Sequence, residues 1–158
     1  VLAGNTAING TGNALANQLT GNAAANTLNG GAGNDTYLIG RGSGADLIKD
    51  SDTKAGNVDT VRFLADITAD QLWFRKVGSS LEVSIIGTTD RATIDSWYTN
   101  AKFRVEQFQT SGGQTLAMGK VDALVSAMAG LTPPALGLTM LSADLQAKLG
   151  TLISSSWS

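Results

Sequence analysis

The nine residues Gly30-Gly31-Ala32-Gly33-Asn34-Asp35-Thr36-Tyr37-Leu38 decide the fold, because they combine three glycines, one acid and one large aromatic residue in a short unit. The two preceding stretches, residues 12–20 and 21–29, keep the same spacing of glycine, polar and apolar residues. A period of nine aligns them in three columns: Gly12, Gly21 and Gly30; Asn17, Asn26 and Asp35; and Leu19, Leu28 and Tyr37. This part of the chain is therefore a nine-residue repeat.

A unit of this length is too short for a helical repeat and fits a turn followed by a short strand. Glycine and asparagine tolerate the positive φ angles that tight turns require. One apolar residue per unit cannot form a core alone, so successive units must stack and bury it between them. The repeat thus predicts short strands wound into a coil, with the apolar column inside.

The unit resembles the RTX (repeats-in-toxin) nonapeptide, G-G-x-G-x-D-x-U-x, a calcium-binding β-helix repeat. The resemblance implies a parallel β-roll in which two nonapeptides form one coil and Ca²⁺ lies between turns two repeats apart. Its ligands would be an aspartate side chain and backbone carbonyls of the turns, and Ca²⁺ prefers such oxygen ligands. By position, the resemblance implies two calcium sites, one at Asp35, Asn17, Gly31 and Gly33 and the other at Asp46, Asn26, Gly42 and Gly44.

Two ligand positions depart from the family pattern. Asn17 and Asn26 replace aspartate, so each implied site keeps one carboxylate and should bind calcium more weakly. Asp46 follows Asp35 by eleven residues instead of nine, which shifts the repeat by two. The alternative for the two asparagines is a metal-free ladder of amides that hydrogen-bond the turns, and the sequence leaves both interpretations open.

Residues 58–118 carry short apolar patterns separated by turn residues, as in Leu81-Glu82-Val83-Ser84-Ile85, and predict an antiparallel β-meander. The series from Asp59-Thr60-Val61-Arg62-Phe63 to Val105-Glu106-Gln107-Phe108 resembles the haemolysin-type calcium-binding related domain, which accompanies RTX repeats in large secreted bacterial proteins. We expect the predicted meander to cap the roll, since an uncapped roll would expose strand edges and invite aggregation.

Two groups of side chains in this part of the chain admit two interpretations each. The aromatic group is either a sugar-stacking platform or, as we expect, core packing. The acidic group supplies either further calcium oxygens at the end of the roll or, as we expect, a solvated loop. The groups are Trp73, Phe74, Trp97, Tyr98, Phe103 and Phe108, and Asp50, Asp52 and Asp59.

Two amphipathic helices are predicted after Met118. The first carries an apolar stripe at Val121, Leu124, Val125 and Met128, and the second at Leu141, Leu145, Leu149 and Leu152. Ser142 is the expected N-cap of the second helix. A sparsely charged, helix-forming C-terminus after RTX repeats resembles a type I secretion signal, which implies export by a dedicated ABC transporter.

The composition excludes several classes of protein. The 158 residues include no histidine and no cysteine, which removes Ser-His-Asp and Cys-His catalysis and Cys/His zinc sites. A net charge of −2 without a Lys/Arg run argues against nucleic-acid binding. No apolar run approaches the roughly 20 residues of a membrane span, so no stable membrane insertion is expected. No lipase-type G-x-S-x-G motif occurs, and we expect no enzyme.

These observations predict a mainly β protein with an RTX-like β-roll at residues 1–57, an antiparallel β cap at 58–118 and a helical tail at 119–158. The predicted function is a calcium-binding C-terminal module of a larger secreted bacterial protein, outside the cell or on its surface, that directs type I secretion and folds on binding Ca²⁺. Its expected partners are the secretion ABC transporter and upstream RTX repeats of the same parent chain. The alternative is a metal-independent cap, or an adhesin module that binds polysaccharide or ice.

Overall fold

The structure, a computed structural model, describes residues 3–52 and 54–158. In these residues, eleven strands form two sheets and two helices follow them. The first sheet contains, in spatial order, β1 (Gly10–Thr11), β3 (Thr27–Asn29), β5 (Ala45–Lys49), β9 (Arg91–Ile94), β8 (Ser80–Ile85) and β7 (Leu72–Val77). The second contains β2 (Gln18–Thr20), β4 (Thr36–Ile39), β6 (Thr60–Phe63), β10 (Gln107–Gln109) and β11 (Thr115–Ala117). The protein is mostly β, as predicted.

The first six strands alternate between the two sheets. In parallel, β1 pairs with β3, β2 with β4, β3 with β5 and β4 with β6. Gln18 lies opposite Thr36, so one coil takes eighteen residues, the length of two nonapeptides. Thr27 lies opposite Leu47, twenty residues away, because the chain between Thr36 and Leu47 is two residues longer. The two-residue shift before Asp46 therefore lengthens one coil and leaves the parallel pairing of β3 with β5 intact.

The apolar column of the repeat lies inside the coil, as predicted. Leu19 is 8% exposed, and Leu28 and Tyr37 are fully buried. Burying a large apolar side chain stabilises a fold by about 1.5–3 kcal/mol. Strands of three residues form few hydrogen bonds of their own, so this burial is a main contribution to holding successive turns together.

Residues 58–118 differ from the predicted antiparallel meander. β7, β8 and β9 do pair antiparallel, as do β10 and β11. β6, however, pairs in parallel with β4, β9 with β5, and β10 with β6. Parallel pairing covers the open edges of β4 and β5, which would otherwise expose rows of backbone donors and acceptors. The segment therefore extends both sheets, and the division into three domains stays a prediction.

Both predicted helices are present, as α1 (Val121–Met128) and α2 (Ala143–Ser156). Ser142 is the N-cap of α2, since its hydroxyl oxygen accepts from the Leu145 N–H at 3.3 Å. α1 packs on β7, where the Phe74 N–H donates to the Met128 sulfur at 3.1 Å. The buried Trp157 follows α2, with its ring 6.5 Å from that of Phe74. None of the described helices is long and apolar enough to cross a membrane.

The aromatic side chains of the middle region form core rather than a platform. Trp73, Phe74, Trp97 and Phe108 are at most 4% exposed. The rings of Phe74 and Phe108 meet edge to face at 5.7 Å, and those of Trp97 and Phe108 lie 6.0 Å apart. A sugar-stacking platform needs exposed ring faces, so the core interpretation is confirmed for these four residues.

Candidate metal centre

A line of polar side chains, which we term the first column, runs along one edge of the second sheet. It consists of Asn17, Asp35, Asp59 and Glu106, which directly precede β2, β4, β6 and β10. Asp35 Oδ1 accepts from the Asn17 N–H at 2.8 Å, and Asp59 Oδ1 accepts from the Asp35 N–H at 2.7 Å. Glu106 Oε2 accepts from the Asp59 N–H at 2.8 Å. Each acid therefore satisfies the backbone of the preceding coil.

A second column lies at the corresponding edge of the first sheet and consists of Asn26, Asp46 and Asp90. The Asn26 N–H donates to Asp46 Oδ1 at 3.0 Å. Asp90 directly precedes β9, and its two oxygens accept from the N–H groups of Gly44 and Gly42, both at 2.9 Å. The second column thus ties the long turn before β5 to the start of β9.

The glycine column of the repeat leaves room for these side chains. A Cβ built on Gly30 would lie 2.7 Å from the Cβ of Asp35 and closer still to its carboxylate. A Cβ on Gly21 would lie 2.5 Å from Asn26 Oδ1 and 2.9 Å from Asp46 Oδ2. In the three repeat units, the Asn or Asp side chain therefore needs a residue without a Cβ five positions earlier in the chain, which is why glycine stands there.

Gly30→Ala is expected to destabilise the protein by about 1–3 kcal/mol, because the new methyl group displaces the Asp35 carboxylate in a packed site. Urea denaturation followed by tryptophan fluorescence measures this loss. Gly119→Ala is the matched control, since a Cβ there meets nothing within 4 Å. Equal stabilities of the two variants would show that the glycine column is not sterically required.

One oxygen in each column is buried without a hydrogen-bond partner among the described residues. These oxygens are Asp35 Oδ2 and Asp46 Oδ2, and both residues are 1% exposed. Leaving a buried polar atom unpaired costs free energy, and for a carboxylate the cost is larger still. A cation bound at each column would give its unpaired oxygen a partner. These two atoms are therefore the strongest structural indication of metal binding.

Two carboxylates of the first column converge with a third, Asp50, which directly follows β5. Asp50, Asp59 and Glu106 each place an oxygen within 4.8 Å of the others. Asp50 and Asp59 are 4% and 2% exposed, so these two do not lie in a solvated loop. In the part of the chain that the structure describes, the ion pairs involve Glu82 and Asp144 instead, and no cationic side chain neutralises this acidic cluster.

Burial shifts the titration of these acids in one direction. Loss of water around the carboxylate raises the pKa of Asp59 to about 7, and the neighbouring Asp50 charge adds to the increase. Burial likewise raises the pKa of Asp50, Glu106 and Asp35, and it raises that of Asp46 to about 6. With a pKa of about 7, Asp59 in the metal-free site holds a proton through part of the neutral range, and a cation has to displace it.

Metal-free protein is expected to lose stability as the pH rises from about 4 to about 7, because the folded chain binds protons that the unfolded chain has already released. With saturating divalent metal the decline should disappear, since the ionised carboxylates are then paired with the cation. Thermal melts at pH 5 and pH 8, with EDTA and with metal, measure both effects. A metal-free protein that is more stable at pH 8 than at pH 5 would contradict the raised pKa values of Asp59 and Asp46.

The structure brings each predicted side-chain pair together, Asn17 with Asp35 and Asn26 with Asp46. Gly31 and Gly33 adopt φ angles of +100° and +111°, and the Gly33 N–H donates to Asp52 Oδ2 at 3.0 Å. Gly42 and Gly44 also have positive φ, and their N–H groups donate to Asp90. The ligand roles of these eight residues stay predictions.

Sequence reasoning missed Glu106 and Asp90, and it gave Asp59 no place in the repeat. A weak signal exists, because Asp59-Thr60-Val61 and Glu106-Gln107-Phe108 repeat the acid-x-apolar order of Asp35-Thr36-Tyr37. Neither copy follows a glycine-rich turn at the spacing of nine. The stack of acidic side chains therefore continues through Asp59 and Glu106, although the glycine-rich turns of the repeat end before them.

Buried carboxylates on a wound, two-sheet β structure define a protein with a candidate site for a divalent metal. Residues 81–117 match the model of the haemolysin-type calcium binding protein related domain. The resemblance is confirmed over that range, and the stretch from Asp59 to Arg75 lies outside it. The chain is also similar to the iron-regulated protein FrpA of Neisseria meningitidis serogroup C, with 32% identity over 88 residues. That alignment covers 54% of this chain and 8% of FrpA, so the chain spans a small fraction of that relative.

Proposed function

We propose that this chain is a calcium-binding module of a larger secreted protein, and that calcium drives its folding outside the cell. The observation that carries the proposal is the pair of buried, unpartnered carboxylate oxygens on Asp35 and Asp46. The acidic cluster of Asp50, Asp59 and Glu106 adds a third place where a cation would offset repulsion between like charges. The match to a calcium-binding related domain agrees with this chemistry.

Calcium fits the available ligands better than other common metal ions. The chain contains neither histidine nor cysteine, the residues that zinc, copper and iron sites favour. Ca²⁺ takes six to eight oxygens in flexible geometry, and stacked turns supply backbone carbonyls beside the carboxylates. Mg²⁺ retains several waters and needs near-ideal octahedral geometry. We propose that Asp35 with the turn at Gly31 and Gly33 forms one site.

The sites also explain how binding is coupled to folding. The donor and acceptor residues of the first column are 18, 24 and 47 residues apart in sequence, so the unfolded chain does not hold them together. A ligand that binds only the folded chain adds stability, about 2.7 kcal/mol when its concentration exceeds Kd by about 100-fold. Low cytosolic calcium would leave the coil loose, and millimolar extracellular calcium would close it.

The secretion part of the proposal rests on the family context. We propose that residues 119–158 are recognised by a type I secretion ABC transporter before folding, and that upstream RTX repeats of the same parent chain continue the coil. The described α1, α2 and Trp157 then pack on the sheets after export. In this view residues 1–57 are an RTX-like β-roll, and the chain binds rather than catalyses.

Thermal melts test the calcium proposal directly. In EDTA followed by excess Ca²⁺, the melting temperature is expected to rise by about 5–10 °C, with a smaller rise in Mg²⁺. Asp35→Asn keeps the size and the backbone hydrogen bond of the side chain but removes its charge, so it should lose part of the rise. An unchanged melt, together with metal analysis that finds no bound metal, would reject calcium binding and leave a metal-free asparagine ladder.

A further inference from the structure

A network of charged side chains crosses the three antiparallel strands β7, β8 and β9, beside Asp90 of the second column. Arg75 lies opposite Glu82 in the register, with Arg75 Nη2 at 2.7 Å from Glu82 Oε1. Arg91, on β9, places Nε at 3.4 Å from Glu82 Oε2. Glu82 is 8% exposed, and its two ion pairs position both arginines over the sheet.

These residues line a surface depression of about 410 Å³. Its lining is Arg75, Glu82, Ser84, Thr88, Thr89 and Arg91, and none of these residues is apolar. Such a lining does not suit a hydrophobic ligand, because polar groups would lose water without a partner. It suits a polar solute that brings hydroxyl and anionic groups of its own.

The hydrogen bonds of the network leave several donors of the lining residues without a protein partner. Arg91 uses Nε for Glu82 and Nη1 for the Thr89 carbonyl at 3.1 Å, while the Thr88 hydroxyl donates to the Ile85 carbonyl at 2.9 Å. Among the described bonds, Arg75 Nη1 and Arg91 Nη2 have no protein partner, and neither do the hydroxyls of Ser84 and Thr89. These groups are hydrogen-bond donors for an oxyanion and its neighbouring hydroxyls.

We propose that this depression binds the carboxylate of an acidic sugar, with Arg75 and Arg91 on the carboxylate and Ser84 and Thr89 on adjacent hydroxyls. The net charge of the lining is +1, from two arginines and one glutamate. That charge complements a carboxylate, which carries one negative charge, better than a phosphate, which carries nearly two. Thr89 and Arg91 flank Asp90 of the second column, but Asp90 does not line the depression, so the proposal does not depend on the proposed function.

Titration of ¹⁵N-labelled protein with tri-galacturonate, its methyl ester and inorganic phosphate tests the proposal. Tri-galacturonate should shift the amides of β8 and β9 around Ser84 and Arg91, and the uncharged ester should not. Arg75→Gln should weaken binding about tenfold and keep the fold, since Glu82 remains paired with Arg91. Arg62→Gln, at an exposed arginine of the second sheet, is the matched control and should bind like the parent.

The titration is run in calcium and in EDTA, because uronates also contact Ca²⁺. Binding that requires calcium and is unchanged in Arg75→Gln would place the sugar at the metal columns and overturn the proposal. Equal shifts from the acid and its ester, or preferential binding of phosphate, would overturn it as well. Calcium-independent binding that Arg75→Gln weakens about tenfold supports it, and an absence of binding in EDTA overturns it.

Discussion

Glu106→Gln is expected to raise the melting temperature of the metal-free protein and to remove most of the rise that calcium produces. Glu106 is one of three carboxylates that converge within 4.8 Å, and burial raises its pKa. Glutamine keeps an oxygen that accepts from the Asp59 N–H but carries no charge. Like-charge repulsion therefore falls without metal, while the calcium affinity should fall at least about tenfold because a charged ligand is lost.

The opposite signs make this variant diagnostic. A residue with a purely structural role would lower both melting temperatures together. Melts of the variant and the parent in EDTA and in a calcium series measure the two effects, and isothermal titration gives the affinity. Asp144→Asn is the control, because Asp144 is exposed and, among the described residues, forms its ion pair with Lys148 on α2, at 2.8 Å. An unchanged calcium response in Glu106→Gln would remove the acidic cluster from the metal centre.

Trp97→Ala is expected to cost about 3–5 kcal/mol of stability, which is the usual loss for truncating a buried tryptophan. Trp97 is fully buried, its ring lies 6.0 Å from that of Phe108, and the Arg104 guanidinium lies 5.4 Å over its face. A fold of this size is stable by about 5–15 kcal/mol, so the metal-free variant should be largely unfolded near its former melting temperature. Calcium should restore part of the loss by mass action.

Urea denaturation in EDTA and in calcium measures the loss. Trp97→Phe retains an aromatic ring and should lose less than the alanine variant. Leu136→Ala is the control, because Leu136 is 70% exposed and its truncation should change stability by less than about 0.5 kcal/mol. A cost below about 1 kcal/mol for Trp97→Ala would mean that the ring is not part of the core.

Local chemistry is what makes the first part of this protein predictable. The nine-residue period places Asn17 beside Asp35, because stacking of two units per coil brings residues eighteen apart into contact. The two-residue shift before Asp46 is also visible in the sequence, and the structure accommodates it without losing the pair with Asn26. Helix α2 follows from its apolar stripe and from Ser142, since both act within one or two turns.

The parallel pairing of residues 58–118 is not predictable in the same way. Alternation of apolar and polar residues identifies strands such as β8, but it does not say which neighbour a strand joins. β7 and β8 are inserted between β6 and β9, and β9 then returns to pair with β5. The edges of β4 and β5 have backbone donors and acceptors that need partners, and β6 and β9 supply them. These open edges exist only after the coil has formed.

Sequence alone therefore determined the coil, its glycine and Asn/Asp columns, its buried apolar column and the helical end of the chain. The tertiary structure decided which acids share a site. Asp50, Asp59 and Glu106 meet because β6 and β10 continue the stack of the second sheet, although Asp59 and Glu106 are 47 residues apart. A repeat period reflects contacts between neighbouring units. The candidate metal centre at the end of the stack depends instead on where a distant strand pairs, and no local sequence pattern contains that information.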